Sequence, residues 1–205
     1  MKTLLCEGAT AIFQVTRSFR AGELGPLHRP EFTIVEWYRT GDDMQAGVDL
    51  LDELVQTTTG AESADRLSYA EAFREHVDVD PHRAACEELA AAADRLRIPL
   101  PDFDRNDRDE WLNLLLATRV QSRLGADRPL ILYDYPAGQS ALARIETDGM
   151  GREVARRFEL YWKGVELANG YDELTSADEL RRRLQKVNAD RVAQGGEALP
   201  LPERL

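Results

Sequence analysis

Two runs of strict alternation flank a turn-rich loop in the first forty residues, and nothing else in the chain constrains its fold as much. In the first arm Phe13, Val15 and Phe19 alternate with Gln14, Thr16, Ser18 and Arg20. In the second, Phe32, Ile34, Glu36 and Tyr38 fall on one face, with Thr33, Val35 and Trp37 on the other. A period of two is the signature of a strand. The loop between the arms is made of charged, Gly, Pro and His residues, so the spacing predicts an antiparallel ribbon. In that ribbon Arg20, Phe32, Glu36 and Tyr38 share one surface. A cation, an aromatic ring, a carboxylate and a phenol on one face make a poor core, because buried charge is costly. The face reads as a binding site.

A second informative stretch is RFELYWKGVELANGYDEL, residues 157–174. Lys163-Gly164 suits a two-residue hairpin turn. That turn sets Tyr161 opposite Glu166 and Glu159 opposite Ala168. Glu159 and Glu166 then lie on one face, with Phe158, Leu160, Trp162, Val165 and Leu167 on the other. Carboxylate oxygens suit Mg²⁺, which takes one or two protein ligands and otherwise water or phosphate. Arginine makes planar, charge-assisted bonds to a phosphoryl group. The two stretches therefore carry the parts needed to hold a nucleoside triphosphate with Mg²⁺.

The rest of the chain mixes helix and strand. Asp42 and Asp43 cap a helix predicted to reach Thr58, with Met44, Val48, Leu51 and Val55 on one stripe. The region 67–125 reads as a helical insertion. A capping box at Ser68–Glu71 opens a helix toward Val77. Asp80-Pro81 is predicted to open a second, running to Leu96. Asp107 and Glu110 open a third, which carries Trp111, Leu114, Leu115, Thr118 and Gln121 and ends at Gly125. Strand returns at 129–135 and, as a short piece, in SALARI, residues 140–145. Ser176 and Glu179 cap a last helix, 177–194, with Leu180, Leu184 and Val187 inward. The fold class expected is α+β.

Composition excludes more than it assigns. A net charge of −11 with a pI near 4.8 argues against a broad nucleic-acid platform. No apolar run approaches a membrane span, and Met1-Lys2 opens no signal peptide. Cys6 and Cys86 are far apart and belong to no Cys-x-x-Cys pair, which suggests two reduced thiols and a cytoplasmic chain. His76 and His82 have no ligand-spaced partners and read as surface residues.

The first stretch, FR…H-x-PEFT…E-x-Y, resembles motif 2 of class II aminoacyl-tRNA synthetases in its lysine-specific form. The ending EWYR and the run ELANGYDEL look most like the elongation factor P–(R)-β-lysine ligases, truncated relatives of lysyl-tRNA synthetase. The resemblance implies the antiparallel sheet of a class II catalytic core, here an incomplete domain spanning 1–205 with its insertion at about 67–125. It also implies residue roles. Arg20 bonds the α-phosphate of ATP and is the catalytic residue, His28 reaches the terminal phosphates, and Phe32 stacks on adenine. Glu159 and Glu166 attend Mg²⁺-ATP. Glu173 receives the side-chain ammonium of a lysine-type amino acid, with Tyr38 beside it, and Glu36 and Asn169 help hold the amino and carboxylate groups. The family's acidic residue two after the motif 2 Arg is replaced by Gly22, with Glu23 next to it as the remaining ATP-side carboxylate. Position 29 is Arg where the family usually has Asn.

The chemistry implied is formation of a lysyl-type adenylate, with ligation to a lysine of elongation factor P. The alternatives are a lysine–tRNA ligase, and a non-catalytic synthetase-like module. Neither motif 1, which builds the family's homodimer interface, nor motif 3, with its second arginine, is present in the chain. tRNA is the less expected partner and a membrane is not expected.

Overall fold

The computed structural model describes residues 1–22, 24–193 and 195–202; Glu23 and Gln194 lie outside the described residues. The chain is α+β and divides into two compact units, Met1–Asp42 with Arg181–Leu205, and Asp43–Leu180. The division runs through the last helix.

In the first unit a short helix α1 (Lys2–Cys6) precedes strands β1 (Ala11–Phe19) and β2 (Glu31–Arg39). The strands form an antiparallel ribbon in which Ile12 faces Tyr38, Gln14 faces Glu36, Thr16 faces Ile34 and Ser18 faces Phe32. The opposite face carries Phe13, Val15, Phe19 and Val35, all exposed. Helix α6 (Ala177–Ala193) closes the chain, and the Ser176 hydroxyl accepts the Glu179 amide at 3.3 Å. Leu180 and Leu184 are half-buried, but Val187 is exposed rather than inward. Asn188 and Arg191 instead bond the backbone of Leu199 and Glu197, folding the tail onto the helix.

The second unit is built on a five-stranded sheet. Its strands are β3 (Asp65–Ser68), β4 (Leu130–Pro136), β5 (Ile145–Thr147), β6 (Glu153–Trp162) and β7 (Val165–Tyr171). β6 is central: β4 lies on one edge, and β5 and β7 follow one another along the other. All of these pairings are antiparallel. β3, however, runs parallel to β4, so Leu67 and Ser68 end a strand rather than open the helical region. The strand expected in SALARI begins at Ile145, because residues 140–143 turn and Ala143 makes only an isolated bridge to Glu173.

Helix α2 (Met44–Thr59) is capped by the Asp43 carboxylate, which accepts the Ala46 amide, and it buries Met44, Val48, Leu51 and Val55. It packs on the face of the sheet that carries Phe158; a Cβ on Gly47 would stand 3.3 Å from that ring. The other face carries Leu132, Tyr135, Ala155 and Tyr161 into a core shared with α3 (Tyr69–His76), α4 (Cys86–Arg95) and α5 (Arg108–Leu115). The capping box at Ser68 and Glu71 forms as the sequence predicts. Helix α4 does not start at Pro81. The Pro81 and Ala84 carbonyls accept bonds from the Arg108 guanidinium, which holds 81–84 in turns and delays the helix to Cys86. Helix α5, capped by Asp107, runs on into a π turn (Leu116–Val120) and a 3₁₀ turn (Gln121–Arg123).

Gly125 joins this helical region to the β6–β7 turn. Its φ is +66°, and a Cβ there would lie 2.4 Å from the Tyr161 carbonyl oxygen. Lys163 N–H donates to the Gly125 carbonyl at 2.6 Å, and Gly164 N–H to the Leu124 carbonyl at 2.9 Å. Only a residue without a side chain lets the two backbones come this close.

Candidate functional site

The candidate residues fall into two groups, one in each unit. On the ribbon, the alternation and the register put Phe32, Glu36 and Tyr38 on one face. Arg20 follows β1, with its amide bonded to the Pro30 carbonyl, and its guanidinium stands over the Phe32 ring at 5.2 Å. The pair is arranged as a cation–π contact. Further along, the Glu36 carboxylate accepts from the Gln14 amide directly opposite and from the Tyr38 phenol at 3.4 Å. Lys2 lies 5.8 Å from the Tyr38 ring.

The loop at the head of the ribbon is closed by reciprocal backbone bonds between Gly25 and His28. Arg20, Gly22, Leu24 and His28 line a cleft of about 280 Å³. Gly22 has φ +82°, a conformation that a residue with a side chain reaches only with strain. An acidic residue at this point would be strained, so the loop geometry suits the glycine found there. Arg29 is exposed beside His28.

In the second unit the hairpin turn forms at Lys163 and Gly164, with φ +53° and +74°, as a two-residue connection requires. Tyr161 faces Glu166, as the sequence predicts. Beyond that pair the register differs from the expectation: Asn169, not Ala168, faces Glu159. The cause is a β-bulge at Leu167, which has no partner on β6. One extra residue reverses the parity of everything after it. Glu166 and Asn169, three apart and destined for opposite faces of a regular strand, therefore share the face of Glu159, as does Tyr171.

Glu159 and Glu166 have very different surroundings. Glu166 is exposed, whereas Glu159 is only 3% exposed. The Tyr135 and Tyr161 phenols both donate to Glu159 Oε2 at 2.5 Å, and Arg157 donates to Oε1. Tyr135 reaches this position because the β4–β6 register shifts between Tyr133 and Tyr135, where Asp134 has a φ of +57°. Burial, reinforced by the adjacent Glu159 charge, raises the pKa of both phenols well above the tyrosine range, so both remain proton donors. Arg157 is itself largely buried; burial disfavours its charge, but Glu159 outweighs that and keeps it charged.

As arranged here, Glu159 has its oxygens taken up by three donors and does not fit a hydrated Mg²⁺. Glu166 offers the exposed carboxylate that such an ion accepts. No cluster of three or more His, Cys, Asp or Glu residues with metal-binding geometry occurs among the described residues. His76 and His82 are part-buried rather than surface residues, and burial lowers the pKa of each.

Glu173 sits half-buried just past β7, where Ala143 bridges it and the Arg144 amide bonds the Asp172 carbonyl. Arg157, Tyr135, Tyr161 and Tyr171 are site neighbours that sequence reasoning missed. The signal available was the alternation of Arg157, Glu159 and Tyr161 along one strand, which places a cation and a phenol beside the carboxylate.

Comparison with known proteins places this geometry. Residues 1–197 match the family described as tRNA synthetases class II (D, K and N). Over all 205 residues the chain is 44% identical to an elongation factor P–(R)-β-lysine ligase of Edwardsiella ictaluri. It is 42% identical to that of Pectobacterium atrosepticum and 40% identical to that of Salmonella arizonae. In each case it spans 62% of the relative's length. No helix among the described residues is long and apolar enough to cross a membrane. With nearly its whole length matched and the motif 2 ribbon folded as the family's sequence pattern requires, the chain belongs to the class II tRNA synthetases of the D, K and N group.

Proposed function

We propose that the chain is the ATP- and amino-acid-binding part of a ligase that activates a lysine-type amino acid, (R)-β-lysine, and transfers it to a lysine of elongation factor P. The observation that carries the reading is the end-to-end identity of 40–44% to ligases of that name, together with a ribbon whose site face holds Arg20, Phe32, Glu36 and Tyr38. ATP is the substrate that the synthetase family consumes. Arg20 takes the α-phosphate, His28 the outer phosphates, and Phe32 the adenine ring. Glu166 is the carboxylate suited to Mg²⁺ arriving with the nucleotide.

Glu173 receives the side-chain ammonium of the amino acid, an interaction that selects for an amine because a charge-assisted bond to a part-buried carboxylate is stronger than one from a neutral side chain. Glu36 and Tyr38 are the ribbon's contacts for the amino acid. Asn169 holds the amino or carboxylate end. A carboxylate oxygen of the amino acid attacks the α-phosphorus, and the bond to the pyrophosphate oxygen breaks. Arg20 stabilises the charge that spreads over the phosphoryl oxygens. A lysine amine then attacks the acyl carbon of the mixed anhydride and AMP leaves. No step calls for a covalent enzyme nucleophile.

The test is to incubate the chain with ATP, (R)-β-lysine and elongation factor P and to weigh the acceptor. A mass gain of one β-lysyl group supports the reading. Charging of tRNA with α-lysine, with no change in the acceptor protein, would replace it with a synthetase.

A further inference from the structure

Asn169 on β7 and Glu173 just past it are proposed amino-acid contacts, and each is two residues from Tyr171. The Tyr171 phenol interacts with the Asn169 side chain and feels the Glu173 charge. Tyr171 pairs directly with Arg157 on β6, and the Arg157 guanidinium stands 5.9 Å from its ring. That guanidinium has few alternatives. It stacks over the Tyr135 ring at 4.5 Å, donates to the Gln139 carbonyl at 3.0 Å, and is bonded to Glu159. Glu159 is in turn held by the two phenols. The result is a buried, ordered base with one cation set under the ring that borders the proposed pocket.

We propose that Arg157 is a positioning residue for amino-acid recognition, acting through Tyr171 on Asn169 and Glu173. The proposal rests on the pocket reading above. Arg157 contributes a fixed planar cation under Tyr171, which keeps the phenol turned toward Asn169. A lysine at 157 retains the charge and the ion pair with Glu159 but loses the planar fork and the stack. Phenylalanine at 171 retains the ring over Arg157 and loses only the phenol.

The test measures binding of (R)-β-lysine, L-lysine and ATP separately by calorimetry, for the wild type, Arg157→Lys, Tyr171→Phe and the double variant. Each single variant is expected to weaken the lysine-type ligand by about 3- to 10-fold, the lower part of the coupling seen between neighbouring groups, and to leave ATP binding unchanged. The double variant is expected to be no weaker than the weaker-binding single variant, because both changes break one path. A tyrosine absorbance change on lysine binding, present in the wild type and absent in Tyr171→Phe, is the matching spectroscopic result. Equal losses for ATP and lysine, or losses that multiply in the double variant, would reduce Arg157 to a purely structural residue. Tyr171→Phe alone decides the matter should Arg157→Lys fail to fold: unchanged lysine binding overturns the proposal. A wild-type chain that binds no lysine would instead remove the pocket reading itself.

Discussion

Replacing Tyr161 with Phe removes one phenolic oxygen beside Glu159, the most deeply buried charged group of the second unit. The ring stays, so no cavity opens, and the loss is confined to one donor to Glu159 Oε2 at 2.5 Å. A hydrogen bond to a charged group contributes about 1.5–3 kcal/mol net, and the carboxylate left behind, 3% exposed, cannot recruit bulk water in its place. The expected cost is about 2 kcal/mol, or roughly 4–8 °C in Tm for a domain of this size. Tyr135→Phe removes the other phenol at the same distance and is expected to cost about as much. Removing both leaves the buried charge to Arg157, so the double variant should lose more than the sum. Urea titrations that follow the midpoint at unchanged slope give the free energies directly. If both single variants fall within about 0.5 kcal/mol of wild type, as a surface substitution would, the phenols do not hold Glu159 and the clamp is refuted.

Other expectations follow from the same geometry. Gly125→Ala should cost about 3 kcal/mol or more in a urea titration, since it adds a left-handed backbone penalty to a Cβ 2.4 Å from a backbone oxygen; a loss under about 1 kcal/mol would mean that the helical region is not held close to the hairpin turn. Tyr69, Tyr135 and Tyr161 all have pKa values raised by burial, so the folded chain retains phenolic protons that the unfolded chain releases near pH 10. Stability should therefore be fully present below about pH 10 and fall above it, at up to about 1.4 kcal/mol per pH unit per phenol, with Tyr161→Phe lowering that slope by one proton. Denaturation midpoints that stay flat across this range would contradict the burial. Arg20→Ala should reduce adenylate formation by at least about 100-fold, the scale of losing one transition-state charge contact, while leaving Tm within a few degrees; unchanged turnover would remove Arg20 from the phosphate.

Much of this architecture was legible because it rests on short-range rules. Alternation fixed the ribbon and its site face, and Lys163-Gly164 fixed the first pair of the second hairpin. Asp43, Ser68 with Glu71, and Asp107 announced their helices through capping chemistry. The misreadings arose where distant residues decided the outcome. The Arg108 guanidinium, 27 residues beyond Pro81, takes the carbonyls that a helix starting there would have used. β3 is a strand because β4 lies parallel to it, a pairing that no local period reveals.

The bulge at Leu167 was equally invisible. It moves Asn169 opposite Glu159, and with it Tyr171 opposite Arg157. The ribbon register and the hairpin turn were readable from their sequence, but the buried Arg157–Glu159–Tyr135–Tyr161 base was not. Alternation predicts which face a residue occupies, not what covers that face. Here the cover is the α3–α5 region, which buries Glu159.

The central claim is that these residues bind ATP and a lysine-type amino acid and join them as an adenylate. ATP–pyrophosphate exchange on the purified chain, with (R)-β-lysine and L-lysine run side by side, tests it most directly. The account predicts exchange that requires the amino acid, favours (R)-β-lysine and disappears in Arg20→Ala. Exchange favouring L-lysine would contradict the ligase assignment, and no exchange with either amino acid would contradict the claim that this chain activates one.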